Sequence, residues 1–246
     1  MLRRHEIYPA HAFFLSRVEE NLGGEKSMRV LIIGAGGHAQ VVADILLRRR
    51  ERYADVQPVG YVDDRSTLCG KLLLGLPVYG LISETSRIPH DGIVIAVGDN
   101  SARAHLYAQM CTRGERVVNA IHPAAVVAPD VRLGSGVMMC AGTVVNTGTV
   151  IGDNVILNTG SSVDHHNCID AHVHVAPGVH LGGNVHIGTG GFVGIGATVV
   201  PGRAVGDWSI VGAGAVVTAD IPEWTTSVGV PARVIKWRDT GERSAA

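Results

Sequence analysis

Aliphatic residues recur at every sixth position through the second half of the chain. The series runs from Ile121 to Val217, and each of its seventeen members is aliphatic or methionine. Glycine, asparagine, aspartate and proline cluster in the three positions that follow each member. Six residues make one short strand and one turn, and because side chains alternate along a strand, the repeated residue points inward. Three such units close a triangular coil, so the pattern predicts about five stacked coils of an all-β parallel β-helix at 121–238.

The first half of the chain shows a different pattern, in which aliphatic runs alternate with amphipathic stretches. Alternating strands and helices form small parallel sheets with helices on their faces, so residues 28–120 predict a Rossmann-like α/β domain. Residues 1–27 contain no strand pattern, and we predict a disordered arm there and a disordered tail at 239–246. The predicted strands are 29–33, 59–62, 77–79, 93–97 and 117–120, and the predicted helices are 38–53, 81–86 and 100–113.

Composition agrees with this division and excludes several functions. Glycine accounts for 32 of 246 residues and aromatic residues for only 4%, which suits a narrow interior filled by small and aliphatic side chains. The net charge of −1 gives no electrostatic footprint for nucleic acid or an anionic membrane. No apolar run approaches the roughly 20 residues that span a bilayer. The four cysteines lack paired spacing, so we predict reduced thiols in a cytoplasmic protein.

The glycine-rich turn after the first predicted strand is a candidate phosphate-binding loop. Residues 34–39 read GAGGHA, which places a G-x-G-x-x-A pattern between a strand and a helix. Such a turn lets a phosphate approach the backbone and meet free N–H groups at the start of the helix. The domain has about half the length of a dinucleotide-binding domain, so a nucleotide is favoured over a dinucleotide, with a purely structural turn as the alternative. The residues predicted to bind substrate here are Gly34, Gly36, Gly37, His38, Asp63 and Asp64.

The hexad pattern and the GAGGHA loop together resemble one family of left-handed β-helix, or hexapeptide-repeat, acyltransferases. This family comprises sialic acid O-acetyltransferases and N-acetyltransferases of UDP-4-amino sugars and GDP-perosamine in bacterial glycan synthesis. The resemblance implies a left-handed helix, a homotrimer, acetyl-CoA as co-substrate, no metal, and a nucleotide-activated amino sugar as acceptor. The other matching segments are GYVDD at 60–64, PVYG at 77–80, IAVGDN at 95–100, NTGSSVDHHNCIDAHVHVAPG at 158–178 and GVPAR at 229–233.

The same resemblance implies roles for residues of the hexad region. His165 matches the general base, which takes a proton from the attacking amine or hydroxyl, a role that suits imidazole near neutral pH. Asn158 matches a residue near the acceptor sugar, and His174 matches a residue near the acetyl group. The further residues expected to line acetyl-CoA are Gly182, Gly183, Ile195 and Ala213.

The residue after the base departs from the family pattern. Relatives usually carry Asp or Glu at that position, whereas this chain carries His166. An imidazole does not replace an acidic group that orients the ring of the base. Asp164, directly before His165, is the candidate for that role, so Asp164, His165 and His166 form the predicted catalytic segment.

Three other functions stay open from the residues. A zinc site of the β-helix carbonic anhydrase type needs converging histidines, but His174, His180 and His186 are spaced to fall on three different faces, so only neighbouring subunits would complete it. The plain interpretation of His172, His180 and His186 is solvated surface. O-acetylation of sialic acid or another sugar hydroxyl, and a nucleotide-binding scaffold without turnover, are the remaining alternatives.

Cys140 and Cys168 are possible covalent acyl carriers, although direct transfer of the acetyl group is favoured.

Overall fold

The computed structural model describes residues 27–238. The predictions of disorder at the two ends of the chain therefore lie outside the described residues, except for residue 27. The described part consists of an α/β domain followed by a β-helix, as the two hydrophobic patterns predict. Within these residues, neither helix combines the length and the apolarity that crossing a membrane requires.

The α/β domain is a five-stranded sheet with one helix on each side. Its elements are β1 (Met28–Ile33), α1 (Gly37–Tyr53), β2 (Val56–Val62), a 3₁₀ turn (Ser66–Leu68), β3 (Leu72–Leu73), β4 (Leu76–Gly80), a 3₁₀ helix (Ile82–Arg87), β5 (Gly92–Ile95) and α2 (Asn100–Thr112).

The strand order of this sheet is β3-β4-β2-β1-β5, and all neighbours are parallel except the β3–β4 hairpin. Alternate residues of β1 point to opposite sides, so Val30 and Ile32 pack with α1, while Leu31 and Ile33 pack with Met110 of α2.

One predicted strand is wrong. Residues 117–120 do not form a strand of this sheet, because Val117 makes only an isolated bridge to Ile93. Ala120 instead begins the first strand of the β-helix, where it pairs with Met138. The segment 117–121 therefore contacts both domains, and its hydrophobic periodicity does not show where one domain ends and the other begins.

The β-helix has three faces, each a parallel ladder in which strands one coil apart pair residue i with residue i+18. The first face also ends in an antiparallel hairpin. The first face contains Ala120–Ile121, Met138–Met139, Ile156–Leu157, His174–Val175, Phe192–Val193, Ile210–Val211, Thr225–Val228 and Arg233–Trp237. The second face contains Val126–Val127, Val144–Val145, Ser162–Val163, His180–Leu181, Thr198–Val199 and Val216–Val217. The third face contains Arg132–Leu133, Val150–Ile151, Cys168–Ile169, His186–Ile187 and Ala204–Val205.

The predicted inward ladder forms the core of the helix. From Met139 to Val217 every sixth residue is buried, and the first three members, which line the open end, are partly buried and pack against the rest. The outer side of the first face is also covered near its start, because Ala120, Met138 and Ile156 are buried in one cluster with α1. The α/β domain therefore sits on the first face and leaves the corner opposite that face open.

Candidate active site

The glycine loop joins β1 to α1 and has its backbone conformation fixed at Gly34. The φ angle of Gly34 is +105°, and a Cβ atom there would lie 3.1 Å from the Ala96 carbonyl oxygen. A side chain at this position is therefore excluded by both backbone angle and space. Gly36 caps α1 and Gly37 is open to solvent, so the first N–H groups of the helix face outward beside the loop. This arrangement fits an anion.

Asp63 holds the loop in place and forms a salt bridge with Arg65, a residue that the sequence motifs did not indicate. Its carboxylate accepts hydrogen bonds from the Ala35 amide at 2.7 Å and from Arg65 Nε and Nη2 at 2.8 Å each. The Arg65 hydrogen bond, followed by backbone hydrogen bonds, lowers the pKa of Asp63 to about 2 despite an opposing effect of burial. The Arg65 guanidinium lies beside Gly36 and adds positive charge to the loop. Asp64 has a different task, since it accepts the Ile82 amide at 3.0 Å.

His38 and His174 meet between the glycine loop and the first face of the β-helix. Their ring centroids are 6.2 Å apart. His38 Nε2 is buried and has no hydrogen-bond partner among residues 27–238. Burial, reinforced by the charge of Arg103, lowers the pKa of His38 to about 4, so the ring is neutral at physiological pH.

His174 is a neutral imidazole with both ring nitrogens in use. Its Nδ1 donates to the Gly98 carbonyl at 3.3 Å, and its Nε2 accepts the Asn158 amide at 3.2 Å. Phe192 packs edge-on to the ring at 5.2 Å. Burial first, then the charges of Arg103 and His38, lowers the pKa of His174 to about 3. The His174 ring is therefore neutral at physiological pH and is held in place through both of its nitrogens.

Arg103 of α2 joins the two domains beneath this pair, and sequence analysis missed it. The side chain is fully buried. Its guanidinium donates to backbone carbonyl oxygens on both sides of the domain boundary, all within hydrogen-bonding distance. Those carbonyls belong to Val97, Gly98, Asn154, His172 and Val173.

His172 belongs to the same junction, and its prediction as solvated surface is wrong. The ring is half-buried against Tyr107 at 5.6 Å, and its Nδ1 lies 2.9 Å from Asn154 Nδ2. Its backbone has a φ angle of +64°, in a corner column that Gly190 occupies one coil later. The hexad pattern does not reveal this contact, because the α/β domain that covers the ring lies far away in sequence.

His165 lies at the corner between the second and third faces, which is opposite the first face. The ring is exposed, and its Nδ1 is 3.1 Å from Nδ1 of His166. It lies over Gly183 of the next coil, where a Cβ atom would come within 2.5 Å of the ring. The absence of a side chain at Gly183 therefore gives the imidazole its place.

Asp164 does not orient the ring of His165. Its Oδ1 accepts the His165 backbone amide at 2.8 Å and the Asn146 side-chain amide at 3.1 Å. These two hydrogen bonds, in that order, lower the pKa of Asp164. The carboxylate thus shapes the turn, and the ring's own contact is with His166.

The residues predicted to line acetyl-CoA divide between two corners. Gly182 and Gly183 lie at the His165 corner. Ile195 and Ala213 lie one coil apart at the corner between the first and second faces, and both are exposed. Asn158 lies at that same corner, so the second face separates the His165 group of residues from the Asn158 group.

Within residues 27–238, His174, His180 and His186 do not converge on a shared metal site, whereas the ligand atoms of Cys168, Asp170 and His186 lie within 4.8 Å of one another. His174, His180 and His186 lie on the first, second and third faces, as their spacing predicts. Burial raises the pKa of the Cys140 thiol to about 11, and burial followed by Asp170 also raises the pKa of Cys168. Thiols with raised pKa are poor nucleophiles, which disfavours a covalent acyl carrier.

Solved structures of known proteins match the fold of this chain over nearly their whole length. The profile of the PglD N-terminal domain matches residues 29–110. A crystal structure of GDP-perosamine N-acetyltransferase from Caulobacter crescentus, a histidine-to-alanine mutant in complex with CoA and GDP-perosamine, is 39% identical with a TM-score of 0.78. The match covers 88% of this chain and 98% of that one. This chain belongs to the same family of left-handed β-helix sugar N-acetyltransferases.

Two further relatives support membership of the N-acetyltransferase family. The acetyltransferase domain of PglB from Neisseria gonorrhoeae FA1090, in complex with acetyl coenzyme A, is 35% identical with a TM-score of 0.80, and the match covers 85% of this chain and 100% of that domain. The UDP-N-acetylbacillosamine N-acetyltransferase of Bacillus subtilis (strain 168) is 34% identical over 112 residues, which are 45% of this chain and half (50%) of that protein. The predicted family, the Rossmann-like domain and the left-handed β-helix are thus confirmed.

The burial of His174 predicts a pH dependence of stability in this N-acetyltransferase. Between about pH 6.5, the ordinary pKa of histidine, and about pH 3, the pKa of His174 in the folded protein, this histidine is protonated in the unfolded chain and neutral in the native one. The free energy of unfolding therefore decreases as the pH is lowered through that range, and His174 contributes up to about 1.4 kcal/mol per pH unit to the decrease. Denaturant unfolding of His174→Gln at pH 7, 6 and 5, at fixed chain concentration, should show a shallower fall than wild type. His105→Gln, at an exposed position, is the control, and equal slopes for all three proteins would contradict the assignment.

Proposed function

We propose that this protein transfers the acetyl group of acetyl-CoA to the amine of a nucleotide-activated sugar, with His165 as general base. The observation that carries the proposal is the state of His165, which is exposed and has its Nδ1 engaged by His166. An imidazole whose Nδ1–H is donated keeps the lone pair on Nε2, which is the form a general base needs. The relatives that bind CoA and GDP-perosamine support the substrate classes.

The nucleotide end of the acceptor fits the glycine loop. A sugar nucleotide carries a diphosphate, and the loop offers the N–H groups at the start of α1 together with the Arg65 guanidinium. Asp63 fixes both groups in one unit, because it binds the Ala35 amide and Arg65 at once. Charge-assisted hydrogen bonds to phosphate are the strongest that such a loop can make.

The sugar and acetyl ends fit the His38–His174 junction. His38 Nε2 is a buried polar atom without a partner in the described part of the chain, and a sugar hydroxyl or amine would satisfy it. Asn158 is held against His174 and presents its amide at the rim. The neutral rings of His38 and His174 add no positive charge to that of Arg103, and the Arg103 charge favours the sugar amine in its unprotonated, nucleophilic form.

The chemistry requires one base and no covalent intermediate on the protein. The sugar amine forms a bond to the thioester carbonyl carbon while Nε2 of His165 accepts the amine proton. The tetrahedral intermediate then breaks its carbon–sulfur bond, and the CoA sulfur leaves with the proton returned by His165. The raised pKa values of Cys140 and Cys168 agree with direct transfer.

The geometry also leads us to propose a homotrimer with sites between subunits. Within one chain, Asn158 and His174 lie on or beside the first face, whereas His165 lies at the corner opposite that face. A reacting amine must contact both groups, so His165 of one subunit has to approach the junction of its neighbour. A closed ring of three such contacts satisfies every site. The cytoplasmic location also stays a proposal, and the four free thiols agree with a reducing compartment.

Acetyl transfer should be measurable as CoA thiol release that depends on an acceptor. The panel contains UDP- and GDP-linked 4-amino sugars, free sialic acid and a no-acceptor control. We expect release with an amino sugar, and a decrease of roughly 10²–10⁴-fold for His165→Ala because the proton acceptor is lost. His105→Ala, which removes an exposed histidine of α2, should keep wild-type activity. Release with sialic acid alone would instead support O-acetylation, and full activity of His165→Ala would refute the assigned base.

The active species should be the trimer. Light scattering at assay concentration should give three times the 25.8 kDa chain mass. Dilution that dissociates the trimer should abolish thiol release, since each site lacks its base or its sugar-binding residues. A monomer that retains full activity would contradict the shared site.

A further inference from the structure

We infer that Asp130 and His166 act as a positioning pair for His165, in which the remote carboxylate selects the tautomer that leaves His165 basic at Nε2. The inference rests on the proposed function of His165. It identifies what stands in for the acidic neighbour that relatives usually carry, and it assigns a task to Asp130, a residue with no apparent role in the hexad pattern.

The stacking of coils brings Asp130 and His166 together across one glycine. Residues 130, 148 and 166 occupy equivalent positions of successive coils at the His165 corner. Gly148 has a φ angle of +71°, and a Cβ atom there would lie 2.7 Å from Cδ2 and 2.9 Å from Nε2 of His166. The His166 ring therefore lies directly over the Gly148 backbone. A side chain at position 148 would displace the ring from this place.

The carboxylate of Asp130 is held on the opposite side of the same glycine. Its Oδ2 accepts the Gly148 amide and the Thr147 hydroxyl, each at 2.8 Å. The hydrogen bonds from Thr147 and then Gly148 lower the pKa of Asp130, and the charge of His166 also contributes, which agrees with their proximity. A fixed negative charge thus lies across Gly148 from His166, and Cδ2 and Nε2 are the ring atoms nearest the Cβ position of that glycine.

The contact between the two imidazoles lets the charge of Asp130 influence which tautomer His165 adopts. The two Nδ1 atoms are 3.1 Å apart, so one of them must carry the shared proton. If His165 donates, its Nε2 is free to act as a base, and His166 carries its own proton on Nε2 toward Asp130. If His166 donates, the His165 proton sits on Nε2 and the ring is not a base. Asp130 favours a proton on His166 Nε2 and therefore the active arrangement.

Asp164, the charged residue next to the two histidines in the chain, does not compete for the rings. Asp164 is engaged by the His165 backbone amide and by Asn146. On the side of the next coil, His165 faces Gly183, which has no side chain. Asp164 along the turn and Asp130 across Gly148 thus both bring negative charge near the pair.

Asp130→Asn tests the pair, because asparagine keeps an acceptor oxygen for Gly148 and Thr147 while removing the charge. We expect kcat to fall by roughly tenfold or more with an unchanged KM for acetyl-CoA. The acid limb of the pH–rate profile should move to lower pH, because the lost negative charge no longer favours a cation on the imidazole pair. Asp220→Asn is the matched control, since Asp220 also accepts a backbone amide, that of Ala204 at 3.0 Å, and should change neither quantity.

His166→Asn completes the test and guards against a purely structural effect. Asparagine suits the backbone at 166, where φ is +56°, because Asn184 holds the same angle in the same column. In the His166→Asn background, Asp130→Asn should have no further effect on kcat or on the acid limb, and this comparison does not require full activity. Equal effects of Asp130→Asn in both backgrounds, or no effect in wild type, would overturn the inference. An active His165→Ala would instead refute the proposed function itself.

Discussion

The fixed stacking of 18-residue coils is the constraint on which the site depends. Each coil can bury its aliphatic residues only by lying on the next, so side chains 18 positions apart become neighbours with little freedom. The His165 ring lies on Gly183 and the His166 ring on Gly148 for this reason. The His165 corner is thus assembled from columns along the helix axis, in which the neighbours of a residue lie 18 positions before and after it.

Arg103 imposes the second constraint, because it fastens the α/β domain to the first face. Its guanidinium satisfies carbonyl groups from both domains and brings a positive charge beside His38 and His174. That charge, added to burial, keeps both imidazoles neutral near physiological pH. Arg103 therefore both attaches the α/β domain to the β-helix and lowers the pKa values of the two histidines.

The fold was largely predictable, whereas the partners of the site residues were not. The aliphatic series that begins at Ile121 predicts the β-helix because every coil must bury the same inward-facing positions. Arg103 left a weaker signal, since it shares a helix face with Leu106, Tyr107 and Met110, where an arginine is out of place. Asp164 misled because nearness in sequence suggested a ring contact that its turn geometry prevents. Contacts made between domains, as at Arg103, or two coils away, as at residue 130, lie outside any local pattern.

The separation of His165 from Asn158 by a whole face makes shared sites the central claim. Subunit complementation tests it most directly, with His165→Ala and Asn158→Ala chains, each weakly active alone, mixed in one trimer population. A mixed trimer contains sites that combine an intact His165 from one chain with an intact Asn158 from the other. For random assembly from equal amounts, sites shared between subunits should restore about a quarter of wild-type thiol release. Mixed trimers that form but recover no activity would contradict it, because they would place both residues of each site in one chain.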